Sequence, residues 1–293
     1  MRRAAVLAAL GTVLGLALLA VGGPARAAGP RAASATVCGD QYLLKLADAD
    51  QIAALSPEAG DRRLSLLADA ASPFPRLRPS AEAYVAAGVE VVLANAWSDH
   101  KTMELLERFG VRVVRIPLVE SFEELEPVTR MVAEALGHPE RGEALNAAIR
   151  ARLAERRAEA AGMGRAALYL RPGGGSAAAG TFVDAVMAAT GLANRATEDG
   201  RRGWTSYDLE QIVLSPPELL VTSFFDSPDR SLRRAFGNHP AFTRRAAATP
   251  MVEVPGRTWV CSGWILIEAV DALAGGLRRH PPVSLIPLTR ESP

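Results

Sequence analysis

Short apolar runs alternate with helical patterns through most of the chain. The runs are four to six residues long, which suits buried strands, and they are Ala35–Cys38, Ile52–Leu55, Val89–Ala94, Val111–Ile116, Ala166–Leu170, Leu219–Thr222 and Met251–Val254. The segments with helical periodicity between them are Gln41–Ala47, Ala81–Ala87, Met103–Phe109, Phe182–Thr190, Leu209–Leu214 and Ile265–Leu277. Strands that alternate with helices predict an α/β fold with mainly parallel sheets, covered by helices on both faces.

The middle of the chain differs from both ends. No strand candidate occurs from Ser121 to Ala161, and the helical pattern there is interrupted once, at Gly137-His138-Pro139. The second piece, Glu140–Ala160, is charged nearly all round and would be about 30 Å long as a helix. Polar residues on most sides of a helix are typical of a bridge between two domains.

These patterns together predict two βα lobes joined by one long α-helix. The N-terminal lobe would span residues 28–136, the linker helix residues 137–162 and the C-terminal lobe residues 163–280. After His280 the composition turns to PPVSLIPLTRESP, which indicates an unpacked tail over residues 281–293.

The first 27 residues have the three parts of a secretory signal peptide. Arg2 and Arg3 form a basic start, Ala4–Val21 is an almost unbroken apolar run, and Ala25-Arg26-Ala27 is a small-x-small cleavage site. We therefore predict cleavage after residue 27 and a periplasmic location. The alternative is an uncleaved membrane anchor, because the apolar run is just long enough to span a bilayer.

The charge balance limits the kinds of partner. Removal of the signal peptide takes away three arginines and no acid, so 33 basic against 32 acidic residues become 30 against 32. A nearly neutral chain lacks the basic surface that binding to DNA or RNA requires, and we predict no nucleic acid partner.

One block of sequence occurs twice, at a shift of 128 residues. PSAEAYVAAGVEVVLA (residues 79–94) aligns with YDLEQIVLSPPELLVT (residues 207–222), and Glu82 aligns with Glu210. Ser80 and Asp208 are suitable N-caps, so each glutamate falls at the second position of a helix. A carboxylate there stabilises the helix by about 0.3–1 kcal/mol, which alone would explain both residues. The alternative is that the pair marks equivalent exposed points that a partner contacts on both lobes.

The order of these features resembles a known family. A signal peptide, a βα lobe, a single long helix and a second βα lobe, with SAEAYVAAGVEVVLA in the first lobe and DLEQIVLSPPELLVT in the second, resemble the periplasmic binding proteins of iron-siderophore, haem and cobalamin ABC importers. The resemblance covers nearly the whole mature chain. It implies a monomer that binds a metal chelate and docks onto arginines of the membrane permease through Glu82 and Glu210. The first block departs from the family pattern, with Val89-Glu90 where Pro-Asp is usual, and Pro217-Glu218 of the second block is closer.

The loops at the carboxyl ends of the strands predict the ligand site, because these loops line the cleft of a two-lobed α/β protein. Trp204 is added because it precedes the helix of the second block, where the resembled cobalamin binders also place a tryptophan. The predicted ligand-binding residues are Asp40, Gln41, Tyr42, Trp97, Arg171, Trp204, Phe224, Trp259 and Trp264. Clustered aromatic residues suit a large, partly apolar ligand, and Arg171 could pair with an anionic group on it.

Three of these assignments have structural alternatives. Asp40 could instead cap the helix that begins at Gln41, Trp264 could close the edge of a core, and Arg171 could form a surface salt bridge. The two cysteines, Cys38 and Cys261, are equally compatible with a disulfide and with buried free thiols.

Other classes of function have less support. Gly173–Ala178 matches G-x-G-x-x-A before a helical segment, which would suit an exported nucleotide-binding enzyme, but no acidic residue follows at a second strand end. The four histidines lie mostly in helices or connections, which disfavours a bare metal ion. No motif of acid–base or nucleophilic catalysis occurs, so we predict no enzyme activity and no cofactor. The first expectation is a ferric siderophore, followed by cobalamin or haem.

Overall fold

A computed structural model describes residues 29–225 and 233–280. In the first half, four parallel strands form one sheet in the order β2-β1-β3-β4. The strands are β1 (Ala32–Ser34), β2 (Ile52–Ala54), β3 (Val91–Asn95) and β4 (Arg112–Ile116). The helices are α1 (Val37–Leu46), α2 (Ala81–Ala86), α3 (His100–Arg108) and α4 (Phe122–Ala135). The signal peptide and the tail predicted from the sequence lie outside the described residues.

The second half repeats this plan with a second parallel sheet, in the order β10-β9-β5-β7, and adds the antiparallel pair β6–β8. The strands are β5 (Ala166–Leu170), β6 (Gly175–Ala177), β7 (Ala193–Asn194), β8 (Trp204–Ser206), β9 (Leu219–Thr222) and β10 (Met251–Glu253). The helices are α6 (Phe182–Ala189), α7 (Arg195–Glu198), α8 (Leu209–Leu214), α9 (Arg233–Asn238), α10 (Pro240–Ala248) and α11 (Leu266–Arg279). The α/β fold with two parallel-sheet lobes is therefore confirmed.

The long helix α5 (Pro139–Glu159) contacts both halves of the molecule. Its 21 residues span about 31 Å at 1.5 Å per residue. It packs along α4 and also on α11, where Arg152 and Arg156 are paired with the carboxylates of Glu268 and Asp271. None of the helices in the described part of the chain is both long and apolar enough to cross a membrane.

The start of the chain differs from the sequence prediction. Residues 35–38 were predicted to be a strand, but β1 ends at Ser34 and α1 begins at Val37, four residues earlier than predicted. Thr36 is the reason, because its side chain accepts a hydrogen bond from the backbone N–H of Gly39 and so caps the helix. Asp40, Gln41 and Tyr42 therefore lie within a helix rather than in a loop.

The glycine-rich segment Gly173–Ala178 does not lead into a helix. Gly173 and Gly174 have φ of +88° and +80°, which turns the chain from β5 back into β6. Ser176 then donates to the backbone oxygen of Tyr169. A phosphate-binding loop requires the N-terminus of a helix at this point, so the geometry does not support the dinucleotide alternative.

Candidate ligand-binding site

A cavity of about 380 Å³ lies between the two lobes, at the carboxyl ends of both sheets. The segments after β3 and β4 and the inner face of α1 form its N-terminal side. The segments after β5, β9 and β10 form its C-terminal side, together with Phe182 and Trp204. Its side chains include Gln41, Tyr42, Asn95, Trp97, Ile116, Leu118, Tyr169, Arg171, Phe182, Trp204, Phe224, Trp259, Ser262 and Trp264.

One face of α1 forms the floor of the cavity. Cys38, Gln41 and Tyr42 are three and four residues apart and so lie on the same side of the helix. The side-chain amide of Gln41 donates to Ser65 Oγ over 2.9 Å, and its backbone oxygen accepts from Trp264 Nε1 over 3.0 Å. The floor is thus fixed on both sides by hydrogen bonds.

Tryptophans occupy both the mouth and the wall of the cavity. The exposed fractions are 72% for Trp97 and 44% for Trp204, against 3% for Trp259 and 5% for Trp264. Two of them are therefore held in the wall, where Tyr169 packs on Trp259 at 5.4 Å between ring centroids. The other two are accessible to a ligand that enters from solvent.

Arg171 is the only charged residue among the described residues that line the cavity. Its guanidinium lies over the ring of Trp204, 5.1 Å from the centroid, and Phe182 contacts the same ring edge-to-face at 5.2 Å. A cation held against an aromatic face in this way keeps its hydrogen-bond donors for another partner.

Eight of the nine predicted ligand-binding residues line this cavity: Gln41, Tyr42, Trp97, Arg171, Trp204, Phe224, Trp259 and Trp264. Their contact with a ligand stays a prediction. Asp40 is the exception, because it is two residues beyond Cys38 on α1 and points away from the cavity. It is fully buried and accepts hydrogen bonds from the backbone N–H and hydroxyl of Ser56, over 2.9 and 2.6 Å. Burial raises its pKa to about 6.

Several lining residues were not predicted. Ile116 is the last residue of β4 and Pro117 and Leu118 follow it, so the same strand-end rule would have found them. Tyr169 lies inside β5 and carries no such signal, since alternation along a strand buried on both faces is weak.

The cysteines are joined in a disulfide, which decides between the two alternatives left by the sequence. Cys38 lies in the first turn of α1 and Cys261 in the segment between β10 and α11, with Cα atoms 5.4 Å apart. The bond thus connects the N-terminal lobe to the C-terminal lobe at the edge of the cavity.

The two repeated glutamates are exposed near helix starts, outside the cavity lining. Ser80 Oγ accepts from the N–H of Ala83 at the start of α2, and Asp208 forms a capping box with Gln211 at the start of α8. Neither Glu82 nor Glu210 forms an ion pair within residues 29–225 and 233–280. In parallel βα units a helix runs antiparallel to its strands, so helix starts and strand carboxyl ends share one edge. Both glutamates consequently lie toward the edge at which the cavity opens.

Residues 90–240 match the family model described as periplasmic binding protein. The chain belongs to this family. Proteins of this family are in general binding proteins without enzymatic activity, and they work outside the cytoplasm. No curated protein matches the chain.

Several solved structures share the fold. The periplasmic haem-binding protein RhuT of Roseiflexus sp. RS-1 is 20% identical, with a TM-score of 0.66 over 86% of this chain and 98% of that one. The periplasmic vitamin B12 binding protein BtuF of Vibrio cholerae is 15% identical, with a TM-score of 0.62 over 86% and 98%. A protein of the ABC-type Fe3+-hydroxamate transport system of Saccharomonospora viridis is 17% identical, with a TM-score of 0.61 over 85% and 93%. At these identities the likeness concerns the fold.

Proposed function

We propose that this protein captures a ferric siderophore in its interlobe cavity, in the periplasm, and delivers it unchanged to an ABC importer. The observation that carries the proposal is the cavity itself, which has accessible tryptophans at its mouth and one arginine that lies over the ring of Trp204. The protein would act as a monomer and as a binding protein, without enzymatic activity. The lobe boundaries and the export signal remain predictions.

The lining favours a metal that arrives already chelated. The described residues around the cavity include no histidine and no carboxylate, and the only two thiols are joined to each other. Such a lining offers few atoms that could coordinate a bare metal ion, so the metal's coordinating atoms have to come from the chelator. Aromatic faces would pack against the organic part of a chelate, and Arg171 would pair with an anionic group on it.

The similar structures support a metal chelate as the class of ligand, and they do not favour one chelate over another. Structures with this fold include proteins named for haem, for vitamin B12 and for Fe3+-hydroxamate transport. A single cationic residue in the lining fits a chelate with little net charge or with one exposed anionic edge. Cobalamin and haem are therefore alternative ligands of the same importer class.

Permease docking would involve Glu82 of α2 and Glu210 of α8. Both carboxylates are exposed without an ion-pair partner in the described residues, and they lie toward the edge where the cavity opens. Paired carboxylates on either side of the opening would bind two cationic sites on the permease and so bring the cavity against the membrane. Each carboxylate would still stabilise its helix start.

Lobe movement on binding would be small. Besides α5 and the Cys38–Cys261 disulfide, three hydrogen bonds cross between the lobes beside the cavity. The N–H of Val119 donates to Ser262 Oγ and the N–H of Phe182 donates to Glu120 Oε2, each over 2.9 Å. The third runs from Trp264 Nε1 to the backbone oxygen of Gln41 over 3.0 Å. A stiff helix on one side and these bonds on the other leave little freedom for a hinge.

Ligand binding is tested by the fluorescence of the purified mature protein. Ferrioxamine B, ferric enterobactin, cyanocobalamin and haemin are titrated separately, and we expect quenching by at least one because tryptophans surround the cavity. Arg171→Ala should weaken binding about tenfold, the equivalent of 1.4 kcal/mol, through loss of a charge-assisted contact. Arg62→Ala, which changes an exposed arginine paired with Asp69, is the matched control. No quenching by any of the four chelates would contradict the proposed function.

Docking is tested separately in vesicles that contain the cognate importer. Glu82→Ala with Glu210→Ala should abolish ligand uptake while the affinity of the free protein for ligand stays unchanged. Glu123→Ala, at another exposed acid, serves as the control. A loss of ligand affinity in the double variant would instead assign the glutamates a structural role.

A further inference from the structure

The disulfide is placed where it can control the cavity. Cys38 and Cys261 both line the cavity, one from each lobe, and 223 residues separate them in the sequence. The chain connection between the lobes runs through α5, which packs on α4, α6 and α11 and contributes no residue to the described lining of the cavity. The bond is therefore a second covalent connection, located at the ligand site.

The segment after β10 has few hydrogen bonds with the N-terminal lobe, although Trp259, Trp264 and Ile265 are buried in the apolar core and Lys45 lies over the ring of Trp264. It runs from Pro255 to Ile265 and holds two cavity tryptophans, Trp259 and Trp264, with one turn of 3-10 helix as its regular structure. Its polar contacts with the N-terminal lobe are the bond from Trp264 Nε1 to the oxygen of Gln41 and the bond from Val119 to Ser262 Oγ. Both lie within three residues of Cys261.

These contacts reinforce one another because they are close in sequence. Fixing Cys261 to α1 places the next three residues beside their hydrogen-bond partners before any ligand arrives. Without the bond, the same hydrogen bonds would have to order a connecting segment at a cost in conformational entropy.

We propose that the Cys38–Cys261 disulfide is a positioning element of the ligand site. It holds the tryptophan-bearing segment 255–265 against α1, so that the cavity is assembled in the ligand-free protein. Cleavage of the bond would leave the two sheets folded and would loosen this wall of the cavity. Bound chelate would then dissociate faster, while its association, which depends on access through the mouth, would change little.

The test uses the mature protein, its Cys38→Ser with Cys261→Ser variant, and each of these with and without tris(2-carboxyethyl)phosphine. Hydrogen exchange of the ligand-free protein is measured first, because it does not depend on any ligand. In the variant and in the reduced protein we expect segment 255–265 and the start of α1 to exchange through local opening, and so faster than β3, β5 and β9, which exchange through global unfolding. Reoxidation of the reduced protein should restore the slow exchange, and the reductant should have no effect on the double variant.

Stopped-flow fluorescence then uses whichever of the four chelates quenches the protein. The dissociation rate should rise about tenfold on loss of the bond, with association altered less than about threefold. Unchanged exchange in segment 255–265, or an unchanged dissociation rate, would overturn the proposal while leaving the proposed function intact. If hydrogen exchange in segment 255–265 becomes faster but no chelate quenches the fluorescence, the proposed role of the disulfide is supported and the proposed ligand class is wrong.

Discussion

Replacement of the buried carboxylate Asp40 by asparagine should change how the stability of this protein depends on pH. Asp40 is fully buried beneath α1, and desolvation raises its pKa from 3.8 to about 6 despite the hydrogen bonds from Ser56. Asparagine has the same shape, its carbonyl can accept from the N–H of Ser56, and its amide can donate to the hydroxyl. It carries no charge to desolvate.

The direction of the pH dependence follows from the number of protons bound by the folded and the unfolded protein. Between pH 4 and pH 6 the folded protein keeps a proton on Asp40 that the unfolded chain has released, so the free energy of unfolding falls as the pH rises through this interval. The contribution of protonated Asp40 to the free energy of unfolding is fully present below pH 3.8 and is lost as the pH rises through 6. A shift of about two pKa units corresponds to about 3 kcal/mol.

The assay is urea unfolding of the wild type and of Asp40→Asn, followed by tryptophan fluorescence at pH 4, 5, 6 and 7. We expect the free energy of unfolding of Asp40→Asn, minus that of the wild type, to rise by about 2.5 kcal/mol from pH 4 to pH 7, since the unfolded chain is not fully ionised at pH 4. Asp50→Asn, at an exposed aspartate, is the control variant. Parallel pH profiles for Asp40→Asn and the wild type would refute the argument that desolvation dominates at this site.

Two further predictions concern the connections between the lobes. Loss of the disulfide in Cys38→Ser with Cys261→Ser should lower the free energy of unfolding by about 5 kcal/mol if closure of a loop of 223 residues is the cause. The measurement is urea unfolding, and the reduced wild type should have the same stability as the variant. Asp271→Asn removes the negative charge shared by Arg152 and Arg156, so it should lower the free energy of unfolding by about 1 kcal/mol at low salt. The loss should shrink in 1 M NaCl because the pairs are partly exposed. A salt-independent loss would point to packing instead.

The sequence contains enough information for the lobes and the linker but not for every element. The strands near residues 91, 112, 166 and 219 were predicted because a buried parallel strand is a short continuous apolar run. The strand β1 consists of two alanines and a serine, and these small residues carry no such signal. The prediction therefore moved the strand into residues 35–38 and delayed the helix.

That shift explains the error at Asp40. Once Thr36 is recognised as the N-cap, α1 begins at Val37, and the 3.6-residue period separates two faces. Cys38, Gln41 and Tyr42 then point toward the cavity, while Asp40 points toward Ser56. The disulfide is different, because it joins residues 223 positions apart and depends on how the lobes are arranged, which no local pattern encodes.

The direction of the chain in the repeated block brings the cavity and the proposed docking residues to the same edge of each lobe. In each lobe the block starts with a helix and continues into a strand that runs antiparallel to it, so the first and last residues of the block return to the same edge of the sheet. Glu82 and Trp97 lie at that edge in the first lobe, and Glu210 and Phe224 in the second. A partner that binds both glutamates would therefore approach the edge where the cavity opens. Because the disulfide and α5 limit how far the lobes can separate, such a partner would act on a nearly fixed spacing between its two contacts.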